Sequence, residues 1–581
     1  MDNDTSSSRK ISRREFLVVT AGASLAWLAA SCGRRVKATK GPNVITSATG
    51  FAPVGEPDMI LKNGRVLTID NTDSTVQAIA LKDGLIQAVG SDEVINALAG
   101  TATQINDVGG RVVTPGLIDP HLHYELFGLL NSFYKNFVPP EVRTMEQLQS
   151  KLAEVVAQMP KGEWIVGFYL YLEDSDFPTR QDLDVASPDN PVFLMQQAGH
   201  IGSANSLALQ IAGINASTPD VPGGVIERDS NGEPTGRFFN HRAMDMLRKN
   251  IPIYTYEELL DGIISSQPMM ATCGVTSFQD NNIRLLDNIK AYQQAAKDGK
   301  LYLRSVLYKT LEWPKDLESI DQIEHYQDEH SRFAGYKFLI DGQAPTAYTH
   351  EPHKGTSWDM PTWDPQVFKD TIRTLHNTGL QISVHCGGDA AVDLTLDAYE
   401  AALNANPRSD HRHRIEHAVI STKDATKRIK DLGVVIQSNP TFIRMSGDYY
   451  EQLFTKKQME RVIVDREWLD AGIPLAYGSD APTTPWHKPQ ITIAAGMARK
   501  TISNKTINPE QRLTFQEALR ACTMGAAYVA HEENIKGSIE IGKLGDITVW
   551  SQDPTGATPE ELFNLPDMFM TIIGGKIVHQ A

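Results

Sequence analysis

From Asp58 onward, apolar runs alternate with turn residues in MILKNGRVLTID (59–70), VQAIALKDGLIQAVG (76–90) and TQINDVGGRVV (103–113). Asn63-Gly64 and Asp83-Gly84 fall between alternating runs and predict hairpins. The same texture returns at the C-terminus in GSIEIGKLGDITVWS (537–551) and MTIIGGKIVHQ (570–580). Two β-rich ends around a long middle predict one composite β-sandwich, from 57–115 plus 535–581.

The middle has a different rhythm. β-type runs separated by helical stretches recur at Gly116–His123, Gly274–Asp280, Leu301–Thr310, Gly335–Asp341, Leu380–His385, Arg412–His417, Val434–Ser438 and Pro474–Asp480. Eight strands in β/α alternation predict an α/β fold of the TIM (β/α)8 barrel type over 116–534. Residues 125–265 exceed any ordinary βα loop and predict an inserted α/β lid domain over the barrel mouth. Residues 500–534 read as a helical run on the outside of the barrel.

Before residue 57 the pattern is that of an address. Ser12-Arg13-Arg14-Glu15-Phe16-Leu17 matches a twin-arginine export motif, and Phe16–Ala30 is uncharged but shorter than the ~20 residues of a spanning helix. Leu28-Ala29-Ala30-Ser31-Cys32-Gly33 resembles a lipoprotein cleavage box with Cys32 as the lipidated residue. The expectations are a signal over 1–32, a linker over 33–56, passage through the twin-arginine export machinery, and a periplasmic or cell-envelope location with a lipid anchor to the membrane.

Composition narrows the partners. The chain has 581 residues, 41% hydrophobic and 8% aromatic, and a net charge of -16, which fits a packed globular enzyme and argues against nucleic acid. Besides Cys32 there are only Cys273, Cys386 and Cys522, with no C-x-x-C, so neither a disulfide framework nor a thiolate zinc site is indicated. The sequence leaves a monomer or a homo-oligomer equally open.

The candidate chemistry lies at the predicted strand ends. His121 and His123 are two apart on an extended segment and face the same way, a chelating geometry. Among 16 histidines a chance H-x-H is no surprise, and His411/His413 is read as one. A lone His385 or His417 would more often be a hydrogen-bonded core residue than a ligand. Asp480 would otherwise cap a helix, and Lys337 would otherwise pair with Asp341 or Glu351. Taken together, His121, His123, His385, His417 and Asp480 all fall at strand C-termini, where barrel enzymes keep their catalytic groups. A nitrogen-rich set with one carboxylate suits zinc and accepts Fe2+ or Mn2+.

As an ordered set, TPGLIDPHLH (114–123), YKFLIDG (336–342), SVHCGGDAAVD (383–393), RIEHA (414–418) and YGSDAP (477–482) resemble the amidohydrolase superfamily. Within it they resemble the amidohydrolase 3 group, which includes N-substituted formamide deformylase-like enzymes. The resemblance runs from about residue 57 to the C-terminus. It implies a hydrolase of carbon-nitrogen bonds in a small-molecule amide, N-acyl or N-formyl, with metal-activated water and Asp480 as general base and then acid. It also implies two divalent cations, Zn2+ above all, bridged by a carboxylated Lys337. GHIGSANSLAL (199–209) resembles the group's insertion motif, which implies substrate contacts from His200 and Asn205; Gly202-Ser203 and Asn240 depart from the group's pattern. His350, His353, Trp486 and His487 lie on loops that could line the pocket. Two alternatives remain: a mononuclear deaminase of the same superfamily, weakened by Gly388 where a glutamate is usual, and an exported binding lipoprotein on an inactive barrel.

Overall fold

The computed structural model describes residues 53–581 apart from 131–133, 139–140, 170–171, 173–176, 197–198, 253 and 355–359. The expected signal, Cys32 and most of the linker lie outside the described residues. Eight parallel strands follow one another in sequence order around a single sheet. They are β1 (Leu117–Leu122), β2 (Val275–Ile283), β3 (Arg304–Leu311), β4 (Ser331–Leu339), β5 (Gln381–Cys386), β6 (Arg414–His417), β7 (Val435–Ser438) and β8 (Leu475–Tyr477). The seam between β8 and β1 is stitched just beyond the strand ends, where Asp480 N–H donates to the His121 carbonyl and His123 N–H to the Ala481 carbonyl, each at 2.8 Å. The fold is a TIM barrel with additional sheets.

The barrel interior is unusually polar below the mouth. Arg414, fully buried, donates to Glu416, Gln279, Tyr308 and the Pro120 carbonyl. A buried guanidinium survives only when its donors find acceptors. Beneath it, Gln279 donates to the Ala526 carbonyl at 2.8 Å and Gln381 to the Val529 carbonyl at 2.8 Å. Ala526, Ala527 and Val529 pack on Ile118, Val435 and Ala476 at the strand starts. Helix Met524–Tyr528 therefore seals the barrel floor, whereas Phe515–Ala521 before it packs into the large apolar cluster beside Trp550. Small apolar side chains at 526 and 527 are what let a helix plug so narrow an opening.

Strands from both termini interleave beside the barrel. Val112–Pro115 pairs in parallel with Arg65–Leu67 and antiparallel with Ile547–Val549, in a six-stranded sheet that ends on Lys576–Gln580. A four-stranded sheet of Leu85–Gly90, Ala78–Lys82, Met59–Lys62 and Gln104–Asp107 shares its apolar core. Asp83-Gly84 makes the expected hairpin, with φ of 51° and 78° at the two turn positions. Asn63-Gly64 does not. Only Asn63 takes a positive φ (55°), whereas a tight hairpin of this kind needs both, and the dipeptide passes the chain from one sheet to the other.

After β1 the chain runs through helix Tyr124–Leu130 into a six-stranded sheet of Tyr134–Phe137, Ile165–Tyr169, Val192–Gln196, Ile201–Ala204, Val225–Arg228 and Pro234–Phe239. It returns by helices His241–Arg248 and Tyr256–Ser265. Leu259 and Ile263 of the latter join Tyr124 and Phe127 in the barrel's core, so that helix packs with the barrel and not with the inserted sheet. A Cβ on Gly128 would lie 2.5 Å from the Gly262 carbonyl, which explains two glycines where these helices meet.

Candidate metal centre

The mouth of the barrel holds a cavity of about 270 Å³, lined on the barrel side by His121, His123, Lys337, His385, His417 and Asp480. Ligand atoms of His121, His417 and Asp480 all lie within 4.8 Å of one another. Asp480 Oδ1 is 3.0 Å from His123 Nε2 and 3.3 Å from His121 Nε2. The His385 ring stands 4.6 Å from that of His417. His417 and Asp480 adopt positive φ (68° and 59°), strained for non-glycine residues and of the kind that persists where surrounding structure over-determines a site.

Two histidines have their tautomers fixed from behind. His121 Nδ1 lies 2.5 Å from Glu416 Oε2, and His417 Nδ1 lies 2.6 Å from Asn439 Oδ1. Both partners accept, so each ring carries its proton on Nδ1, donates it as a hydrogen bond to them and turns Nε2 toward the cluster. Glu416 is locked in turn by Arg414 Nε (2.6 Å) and the Ser383 hydroxyl (2.7 Å). Burial acts to raise the Glu416 carboxyl, but Arg414 and His121 outweigh it and hold it well below the usual carboxylate range. Asp480 resembles it: burial is opposed by the adjacent His121 and His123, and the carboxyl stays far below its ordinary value. Burial pushes His385 and His417 well below the usual histidine range, so they present neutral nitrogens.

These residues fit a cation. His121 Nε2, His385 Nε2 and Asp480 Oδ1 are buried with no hydrogen-bond partner among the described residues. Several unpartnered acceptors lining one cavity is a costly arrangement unless a cation completes it. Lys337 lines the same cavity, is 2% exposed, and makes no hydrogen bond or ion pair among the described residues. Its expected alternative partners are committed elsewhere: Asp341 accepts from the backbone of Tyr348, Gly387 and Gly388, and Glu351 pairs with Lys457. Burial pushes the Lys337 amine down to about 8.

Other expected residues divide. His200 lines the cavity with its ring 4.7 Å from His385. Asn205 does not reach it. Its carbonyl accepts from Val192 N–H (2.9 Å) and Ala208 N–H (3.0 Å), and its amide donates to the Ser187 and Asn190 carbonyls (2.9 Å each). Fully satisfied and fully buried, it caps helix Ser206–Ala212 and ties the inserted sheet together. His353 bonds to the Ala347 carbonyl and His350 pairs with Asp393, both away from the cavity lining. His413 and His411 bond to His376 and the Leu432 carbonyl, as ordinary core histidines do. Glu416 and Asn439 were not anticipated. The one hint was a glutamate inside an apolar strand, R-I-E-H, where a charge must have a purpose.

An eight-stranded barrel with a histidine and carboxylate cluster at its mouth is the architecture of a hydrolase, and the chain belongs to the Amidohydrolase family, whose model matches residues 104–579. Two relatives align over nearly their full length. The N-substituted formamide deformylase of Arthrobacter pascens is 27% identical over 90% of this chain and 98% of its own, and the putative amidohydrolase YtcJ of Bacillus subtilis (strain 168) is 28% identical over 90% and 99%. Among solved structures, an uncharacterized metal-dependent hydrolase from Pyrococcus horikoshii OT3 superposes with a TM-score of 0.69 at 24% identity, covering 86% of this chain and 99% of its own.

Proposed function

We propose that this protein is a metal-dependent hydrolase of the carbon-nitrogen bond in an N-acyl or N-formyl amide. The observation that carries the reading is the clustering of His121, His417 and Asp480 ligand atoms within 4.8 Å of one another, in a cavity that the buried Lys337 and the unpartnered His385 Nε2 also line. The deformylase relative supports the choice of bond. A divalent cation bound there would acidify water and polarise the substrate carbonyl. Asp480, kept ionised and flanked by His121 and His123, takes the proton from the attacking water and delivers it to the nitrogen as the carbon-nitrogen bond breaks, releasing carboxylate and amine. Glu416 and Asn439 hold the imidazoles in register throughout. We further propose two zinc ions bridged by Lys337. An amine lowered to about 8 has an appreciable neutral fraction near pH 7, and that form adds to CO2 with loss of a proton to give a carbamate.

Deamination is disfavoured by Gly388: a Cβ there would lie 1.9 Å from the Tyr348 carbonyl, leaving no room for a glutamate. The SRREFL motif and Cys32 support export with a lipid anchor. The reading is tested by assaying a panel of N-formyl and N-acyl amides with native protein, chelator-treated protein and Asp480→Asn. Hydrolysis by the native protein, abolished by chelator and lowered at least about 10³-fold by Asp480→Asn, supports it. Deamination without amide cleavage, or full activity in Asp480→Asn, overturns it.

A further inference from the structure

His241 opens helix His241–Arg248, is 9% exposed and lines the cavity, yet has no part in the cluster above. Its position is built by the inserted sheet. The pairing of Ile201 with Phe239, closed by Asn240 N–H donating to the His200 carbonyl at 2.7 Å, sets the rings of His200 and His241 edge to face, 4.8 Å apart. Asn240 holds a φ of 70° to make this turn, a strained conformation that survives only where its surroundings impose it.

The protonation of His241 follows from its neighbours. Arg284 Nη2 lies 3.1 Å from His241 Nδ1, and a guanidinium carries donors only, so Nδ1 is the acceptor. Burial first, then His200 and Arg284, push the ring well below the usual histidine range and keep it neutral. The remaining proton is on Nε2. That nitrogen is buried and has no hydrogen-bond partner among the described residues. Because a buried donor without an acceptor is costly, its place in a cavity wall calls for a ligand atom. The ligand atom need not be charged, since Arg248 and Arg284 already share Asp245, and Arg284 also pairs with Glu312 at 2.9 Å.

The His200 ring contacts both His241 and His385, so His241 is one residue removed from the histidine and carboxylate cluster. The geometry points to His241 as a specificity-determining contact whose Nε2–H donates to a second, uncharged acceptor of the substrate: a carbonyl or ether oxygen, or a ring nitrogen. The carbon skeleton lies against Tyr134, Phe168, Phe193 and Met195. This rests on the amide-hydrolase reading and narrows it to amides bearing such an acceptor. Isosteric amides without one leave Nε2 unpaired and are selected against by about tenfold.

The test uses the metal-loaded full chain and matched probes: N-(ω-methoxyalkyl)formamides against N-alkylformamides of equal length. With 15N-labelled histidine and the His241 signals assigned by their loss in His241→Gln, nitrogen shifts report which nitrogen carries the proton. The expected result is a neutral ring with its proton on Nε2, and an Nε2 signal that moves with the ether probe and not with its alkyl partner. In parallel, the kcat/KM ratio within the best pair should be about ten in native protein, near one in His241→Leu, and largely restored in His241→Gln, whose amide supplies a donor. Melting temperature and metal content should match native in both variants. A proton on Nδ1, a charged ring, equal responses to both probes, or an unchanged ratio in His241→Leu overturns the proposal. If native protein hydrolyses no probe, the amide reading fails, and the tautomer and the selective shift still decide the role of His241.

Discussion

Glu416→Gln is the perturbation with the most legible cost. Four donors converge on this carboxylate: the Ser383 hydroxyl, Arg414 Nε and Nη2, and His121 Nδ1. Glutamine offers one acceptor oxygen and one donor group, so its NH2 must oppose Arg414 or His121 in either flip. At the same time Arg414, fully buried, loses its counterion. Breaking a buried ion pair by removing one partner costs about 3–5 kcal/mol. Loss of the group orienting a ligand histidine weakens metal affinity a further ~10–100-fold. Urea unfolding of chelator-treated protein isolates the first effect from linkage to bound metal. With a slope of about 3 kcal/mol/M, the midpoint should fall by roughly 1 M or more. The second effect is read by competition against a metal-binding dye. A midpoint within about 0.3 M of native, together with unchanged metal affinity, would refute the claim that Glu416 anchors the site.

Asn205→Ala should destabilise the protein by about 3 kcal/mol in denaturant, since it strips four buried hydrogen bonds, one of them a helix cap, while KM for any hydrolysed amide stays unchanged; a raised KM at normal stability would restore it as a substrate contact. Asp546 ties β3 to the sandwich through Arg304 (2.7 Å) and Gly574 N–H (2.8 Å). Burial opposes its ionisation but Arg304 prevails, and the carboxyl lies below its ordinary value. The stability advantage of native over Asp546→Asn, about 3–5 kcal/mol, should therefore be fully present above pH 3.8 and vanish only as pH falls through the lowered folded value, as followed by unfolding at a series of pH values. Gly388→Ala, with its Cβ 1.9 Å from the Tyr348 carbonyl, should cost about 3 kcal/mol or more or prevent folding; a normal melting temperature would show that the backbone yields there.

What the sequence revealed depended on how local the cause was. The eight barrel strands were readable because each is a short, largely buried run between helical stretches, and the observed strands match them to within a few residues. His121 and His123 were readable because strand periodicity alone aligns them. Glu416 and Asn439 act across the barrel on partners 295 and 22 residues away, and no local pattern marks such pairings. Asn205 sits in a motif that promised a substrate contact, but which way an asparagine turns depends on its acceptors, and here four backbone groups claim it. His241 escaped notice because its meaning comes from Arg284, on a different domain layer. The floor-sealing role of Met524–Tyr528 likewise depended on which end of the barrel was left open.

The central claim is a two-metal site bridged through Lys337, and metal content tests it most directly. Equivalents per chain should be measured on protein purified without added chelator, for the native sequence and for Lys337→Ala. The account predicts two equivalents in the native protein, falling to one or none in Lys337→Ala with loss of amide hydrolysis. One equivalent in both proteins, with activity retained in the variant, would contradict the bridging role and leave a mononuclear centre built on His121, His417 and Asp480.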